Sequence, residues 1–137
     1  MKKIILGTCI LFLLISVAYA GTVDIFTAPS PLQPLGNSGF GDGQGHNIQI
    51  FEFTENLYKT WFENDTDYVV EKYEGNNGLY LYADDENDCG ILEIVEKDGK
   101  KYIVNSWTPK GPSEAQTVVE NLHDFNELNH LTPITTL

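Results

Sequence analysis

A β-hairpin signal in residues 91–107 constrains the fold more than any other feature of the chain. Two runs in which apolar and polar residues alternate, 91–97 and 100–107, flank Asp98-Gly99. An Asp-Gly pair between such runs favours a two-residue type I′ turn. The turn predicts these cross-strand pairs: Glu96 with Lys101, Val95 with Tyr102, Ile94 with Ile103 and Glu93 with Val104. Apolar residues then lie on both faces, so we expect the hairpin to be central in the sheet and not at a solvent-exposed edge.

A short helix is predicted near 54–63, before the hairpin. Its apolar residues recur at the spacing of one helical face, and they are Leu57, Tyr58, Trp61 and Phe62. Thr54 is placed to cap the first turn, and Phe53 is placed to contact Tyr58 as a hydrophobic staple. A strand over 57–63 is the alternative, and the spacing favours the helix.

An amphipathic helix is predicted near 113–128. Ser113 can act as its N-cap, with Gln116 at the reciprocal position of a capping box. The residues of its apolar face are Ala115, Val118, Val119, Leu122 and Phe125. We expect this face to lie on the sheet.

The remaining segments complete a two-layer α+β domain. Strands are predicted at 48–53, 68–74 and 79–83, and with the hairpin they give a mostly antiparallel sheet of about five strands. Residues 21–46 are rich in Gly and Pro and are interpreted as a loop or linker. The single domain then spans 47–130, and residues 131–137 form a C-terminal tail.

The first twenty residues have the layout of a secretory signal peptide. Lys2-Lys3 precede a long apolar run, and Ala18-Tyr19-Ala20 places small residues where signal peptidase cleaves. The run is too short for a spanning helix, and no later segment is long or apolar enough. We therefore expect cleavage after Ala20 and a secreted, extracytoplasmic product without a transmembrane segment.

The charge of the chain excludes general nucleic-acid binding. The sequence has 8 basic and 20 acidic residues, and every basic residue is a lysine. Loss of residues 1–20 removes two lysines and leaves a net charge of −14. Binding to a phosphate backbone requires clustered positive charge instead. Cys89 is the one cysteine of the mature chain, so no intramolecular disulfide can form.

The acidic loop at residues 84–90 is the densest charge cluster. Asp84, Glu86 and Asp88 alternate as the oxygen ligands of a calcium loop do. The full loop pattern fails, because Cys89 stands where Gly is needed and Val95 stands where Glu is needed. A solvated acidic turn is the favoured interpretation, and loose binding of a divalent cation by the three carboxylates is the alternative. No other cofactor is expected.

No pattern in the sequence assigns a catalytic residue. The carboxylates around Cys89 disfavour its thiolate form, which is the reactive one. His46, His123 and His130 lack a metal-ligand spacing, and no serine lies in a nucleophile elbow.

Two surface features could contact other molecules. Asn64-Asp65-Thr66 is an acceptor sequon on a predicted turn, so Asn64 is a candidate glycosylation site. Tyrosines on adjacent predicted strands are candidates for stacking on a sugar or a protein partner, and they are Tyr68, Tyr80, Tyr82 and Tyr102. Packing of these rings beneath a helix is the favoured alternative.

Residues 91–106, followed by the helix around 118–125, are similar to the C-terminal half of PsbP-like exported domains. The similarity covers residues 47–128 and rests on the order of the elements and on the Asp98-Gly99 hairpin. The resemblance implies a small, non-catalytic accessory or binding domain. It carries over no functional residue, because none matches a motif of that family.

These observations predict a non-enzymatic exported domain that binds an envelope protein or a glycan. One alternative is a carboxylate-dependent hydrolase that acts through the 84–88 loop. Another is a passive, glycosylated surface component whose acidic charge serves solubility.

Overall fold

A computed structural model describes residues 25–35, 39–63, 80–84 and 87–137, which contain seven strands and two helices. The strands are β1 (Gln33–Leu35), β2 (Gly39–Gly41), β3 (Asn47–Glu52), β4 (Tyr80–Asp84), β5 (Cys89–Lys97), β6 (Lys100–Thr108) and β7 (Thr132–Pro133). The helices are α1 (Glu55–Tyr58), which continues as a π-helical turn over Lys59–Glu63, and α2 (Ala115–Leu128), which follows a 3₁₀ turn over Pro112–Glu114. The predicted leader and the predicted strand at 68–74 lie outside the described residues.

The strands form an open antiparallel sheet in the order β1-β2-β3-β6-β5-β4. The predicted α+β class with an antiparallel sheet is therefore confirmed. The outer edge of β5 is shared, since β4 pairs with Cys89–Glu93 and β7 pairs with Val95 and Glu96. None of the helices in the described part of the chain is both long and apolar enough to cross a membrane.

The β5–β6 hairpin has the predicted register and a central position. All four predicted cross-strand pairs are present. Asp98 and Gly99 have φ angles of 53° and 81°, and positive values at both central residues define the type I′ turn. Both faces of the hairpin are buried, because alternate residues of each strand belong to two separate cores.

The larger core, called here the helix-side core, lies between the sheet and α2. The helix contributes Val118, Leu122 and Phe125, each with no exposed surface. The other members are Phe26, Leu32, Phe40, Ile48, Ile50, Cys89, Ile91, Val95, Tyr102, Val104 and Leu131. The predicted amphipathic helix and the face that it buries are thus confirmed.

The beginning of α2 differs from the prediction, because Ser113 is not its N-cap. Ser113 lies inside the 3₁₀ turn, which starts with Pro112 directly after Gly111. Proline favours the first helical position because its φ is already helical and it has no N–H to satisfy. The chain is therefore helical before Ser113, and Gln116 bonds to Glu120 instead of completing a capping box.

Helix α1 covers the opposite face of the sheet and has the predicted cap. The backbone N–H of Leu57 donates to Thr54 Oγ1 at 3.1 Å. The rings of Phe53 and Tyr58 lie 6.0 Å apart, as the staple requires. The fully or nearly buried residues of this second core, the α1-side core, are Phe51, Trp61, Leu92, Ile94 and Ile103.

The Gly- and Pro-rich segment is part of the sheet, so its interpretation as a linker was wrong. Strands β1 and β2 extend the sheet beyond β3, and Phe40 is only 2% exposed. Gly39 is required here by close packing, because a Cβ atom at this position would collide with the carbonyl oxygen of Ile48 on β3. Glycine thus permits a close approach of two strands at a position where we expected it to favour a flexible loop.

The C-terminal residues also belong to the fold and do not form a separate tail. Leu131 is buried in the helix-side core. The N–H of Ile134 donates to the carbonyl of Ile94 at 3.0 Å, and Ile134 packs against the α1-side core. The segment after α2 therefore closes the part of the β5 edge that β4 leaves unpaired.

Truncation of Phe40 tests whether the Gly-rich segment is structural. Phe40→Ala should lower the free energy of unfolding by about 3–5 kcal/mol, because it removes a buried aromatic ring. Leu35→Ala, on the neighbouring strand, is the control, since Leu35 is 47% exposed and should contribute about 0.5 kcal/mol or less. Urea unfolding of residues 21–137 measures both values. Equal costs for the two variants would contradict the observed packing.

Candidate functional site

A histidine held between two carboxylates joins the Gly-rich segment to the start of α2. Asp42 and His46 lie on the turn between β2 and β3, and Glu114 ends the 3₁₀ turn before α2. His46 Nδ1 lies 2.9 Å from Asp42 Oδ2, and His46 Nε2 lies 3.5 Å from Glu114 Oε2. We refer to these three residues as the His46 cluster.

The β2–β3 turn folds around the Asp42 side chain. Asp42 Oδ1 accepts hydrogen bonds from the backbone N–H groups of Gln44 and His46, at 2.6 and 3.1 Å. Gly43 and Gly45 have φ angles of 75° and 103°, which allow the backbone to wrap around a carboxylate. The side chain and the turn therefore fix each other.

The same contacts set the pKa of Asp42. Burial acts to raise it, but the hydrogen bonds from Gln44 and from the ring and backbone of His46, together with electrostatic attraction to the His46 ring, outweigh burial. The net result is that the pKa of Asp42 lies below its ordinary value of 3.8. Asp42 is therefore a carboxylate, and a hydrogen-bond acceptor, at every physiological pH.

His46 is 9% exposed, and its two nitrogens differ in their surroundings. Nδ1 faces the Asp42 carboxylate at hydrogen-bond distance. Nε2 is buried and has no hydrogen-bond donor or acceptor in suitable geometry among the described residues. Its nearest charged neighbour is Glu114, whose side chain is 31% exposed. The cluster can thus orient an imidazole towards a second carboxylate.

An open cleft lies near the C-terminal end of α2 and has a volume of about 710 Å³. One wall comes from the chain before β1 and the other from α2 and the turn after it. The lining residues are Ala28, Pro29, Ser30, Asp124, Glu127, Leu128 and His130. Leu128 is 47% exposed, so the cleft combines an apolar contact with carboxylate, imidazole and hydroxyl groups.

The structure places part of the acidic loop in the interior. Asp88 has no exposed surface and is not part of a solvated turn. Asp84 is the last residue of β4, in register with Cys89. The side chain of Asp84 and the whole of Glu86 lie outside the part of the chain that the structure describes. Within the described ranges no three or more His, Cys, Asp or Glu side chains converge as metal ligands.

Of the tyrosines predicted to contact other molecules, the structure buries Tyr102 and describes only the backbone of Tyr80 and Tyr82. Tyr102 is 5% exposed and packs edge-to-face on Phe26 at 5.3 Å, in the helix-side core. Tyr80 and Tyr82 belong to β4, where they pair with Glu93 and Ile91. Tyr68 and Asn64 lie outside the described residues. Cys89 is fully buried in the helix-side core.

The His46 cluster was not predicted from the sequence, although two of its three residues lie close together along the chain. The pattern Asp-x-x-x-His at 42–46, with glycines at 41, 43 and 45, falls in the segment that the sequence predicts to be a loop or linker. A search for Asp followed by alternating glycines, which marks a turn around a carboxylate, would have found Asp42 and His46. Glu114 has no comparable signal, because only the folded chain brings it to the imidazole.

The lowered pKa of Asp42 predicts a pH-dependent contribution to stability. A depressed folded-state pKa gives stabilisation that is complete above the unfolded value of about 3.8 and is lost as the pH falls through the folded value. Asp42→Asn should therefore be less stable than the wild type at pH 5, and the difference should shrink as the pH falls below 3.8. Urea unfolding between pH 5 and pH 2.5 measures the difference. A gap that stays constant over this range would contradict the assignment.

Comparison with known proteins gives no relative from which to transfer a function. No family model, no curated protein and no solved structure matches this chain. The resemblance to PsbP-like domains therefore stays a prediction, and the function has to be argued from the residues themselves.

Proposed function

We propose that this chain is an exported, non-catalytic binding or accessory domain that contacts an envelope protein or a glycan through the cleft beside α2. The observation that carries the proposal is the cleft itself, an open concavity of about 710 Å³ whose lining mixes polar and apolar groups. Concave sites with a few polar groups and apolar contact area are typical of ligand binding.

The lining of the cleft favours hydroxyl-rich or cationic ligands. Asp124 and Glu127 supply carboxylates, which accept hydrogen bonds from sugar hydroxyls and pair with ammonium groups. Leu128 adds exposed apolar surface for the carbon face of a sugar or the stem of a lysine side chain. The net charge of −14 on the mature chain would also attract basic partners.

The burial of the reactive groups supports binding over hydrolysis. Asp88, one carboxylate of the loop that the hydrolase alternative uses, has no exposed area, and the same is true of Cys89. A general acid or base must reach the proton that it transfers, and Asp88 and Cys89 do not reach the surface.

The predicted signal peptide supports a location outside the cytoplasm. The basic start, the apolar run and the Ala18-Tyr19-Ala20 cleavage site are the parts that export requires. A strongly acidic composition keeps such a product soluble and directs it towards cationic surfaces.

Variants of the cleft carboxylates test the proposal. The double variant Asp124→Asn, Glu127→Gln should weaken binding of an envelope oligosaccharide or a lysine-containing peptide at least tenfold, because it removes both acceptor charges from the cleft. Glu96→Gln is the matched control, since Glu96 is an exposed carboxylate on β5 outside the cleft. Titration of the mature chain, followed by the backbone amide signals of Ser30, Glu127 and His130, measures the affinity.

The proposal fails if neither probe shifts these signals, or if the Glu96 control weakens binding as much as the double variant does. Turnover of the oligosaccharide during the titration would favour the hydrolase alternative.

A further inference from the structure

The His46 cluster has the arrangement of a carboxylate–histidine–metal site. In the neutral ring the proton is on Nδ1, because Nδ1 lies 2.9 Å from the Asp42 carboxylate, which can only accept. Nε2 then carries a lone pair and lies 3.5 Å from Glu114 Oε2. Two acceptor atoms this close repel each other unless a cation, either a proton or a metal ion, lies between them.

We infer that His46 Nε2 and Glu114 bind a divalent transition-metal ion of the zinc class, with Asp42 as the carboxylate that orients the imidazole. The site is separate from the acidic loop at 84–90 and from the cleft beside α2. It therefore does not depend on the proposed function.

The distance between the two ligand atoms fits this class of ion. Two atoms that each bind a tetrahedral Zn²⁺ at about 2.0–2.2 Å lie about 3.3–3.6 Å apart. The separation of His46 Nε2 and Glu114 Oε2 is 3.5 Å. A hydrogen bond between a ring nitrogen and a carboxylate is shorter, at about 2.7–2.9 Å when it is charge-assisted.

The types of ligand atom, one imidazole nitrogen and one carboxylate oxygen, favour zinc over Ca²⁺ and Mg²⁺. Ca²⁺ and Mg²⁺ prefer oxygen ligands throughout, whereas zinc binds a neutral imidazole together with a carboxylate. Metal-bound histidines almost always donate their second N–H to a carboxylate or carbonyl, which fixes the tautomer and raises the basicity of the ring. Asp42 occupies this position, with Oδ2 at 2.9 Å from His46 Nδ1.

The protein supplies two direct ligands, and solvent can supply the others. Among the described residues no set of three or more candidate side chains converges on one point. The Glu114 side chain is 31% exposed, so water can reach the outer half of the site. We therefore expect an affinity below that of a closed four-ligand structural site, with the two negative charges of Asp42 and Glu114 balancing the ion.

Zinc titration of the mature, EDTA-treated chain tests the inference. ZnCl₂ should raise the melting temperature in a saturable way. The reason is that the ion binds only the folded chain, in which the β2–β3 turn lies next to the start of α2. CaCl₂ at the same concentration should leave it unchanged. The ¹⁵N signal of His46 Nε2 should shift with zinc, which reports the ligand atom directly.

Three variants assign the effect to named side chains. Glu114→Gln should abolish the stabilisation, and because Glu114 is partly exposed this variant should keep the fold, which circular dichroism checks. Asp42→Asn should weaken zinc binding roughly 10–100-fold, as loss of a carboxylate behind a metal-bound histidine does. His123→Gln is the control, since His123 is an exposed imidazole outside the cluster.

Three results would overturn the inference. One is a wild type that zinc neither stabilises nor shifts at Nε2. Another is a Glu114→Gln variant that responds to zinc as the wild type does. The third is loss of the response in His123→Gln, which would assign it to a surface imidazole.

Discussion

Burial of both faces of the β5–β6 hairpin is the constraint on which the rest of the fold depends. Its strands present Ile91, Val95 and Val104 to one side and Ile94 and Ile103 to the other. An isolated hairpin would leave both sides in water, so each face needs a separate covering element. Helix α2 covers the first face and α1 the second, and β3 and β4 pair with the two outer edges of the hairpin.

Buried polar groups then fix where α2 lies on the sheet. Asn126 Nδ2 donates to Glu93 Oε1 at 2.6 Å, and Ser106 Oγ donates to the carbonyl of Val118 at 2.7 Å. Apolar packing tolerates small shifts of a helix, whereas a displaced bond would leave a buried polar group without its partner, at a cost of about 1–3 kcal/mol. The two bonds lie near opposite ends of α2 and so hold both its position and its rotation. This placement also determines where Glu114 stands.

The parts of the fold that were predictable from sequence are those whose signal is local. The Asp98-Gly99 turn specifies its own φ angles, and Thr54 caps the helix that it precedes. Most of the errors concern residues whose conformation depends on distant partners; the N-cap at Ser113 is the exception, because the neighbouring Pro112 already starts the helical turn. Phe40 stands among glycines that resemble a loop, yet Gly39 is a glycine because β3 approaches it closely. Ile134 follows a proline, and its backbone bond to Ile94 becomes visible only once the β5 edge is placed.

The His46 cluster also has one part that is local in the sequence and one part that depends on distant contacts. Its turn is local, because Asp42 binds backbone groups within four residues and two glycines accept the required φ angles. Its second carboxylate is not local, because Glu114 reaches the imidazole only after β6 has paired with β3 and the chain has entered α2. A cation between His46 and Glu114 would join the segment that carries Phe40 to the helix that carries Phe125, whose rings pack 5.8 Å apart. Occupancy of the cluster and closure of the helix-side core would then stabilise each other, since both need the β2–β3 turn and α2 in the same relative position.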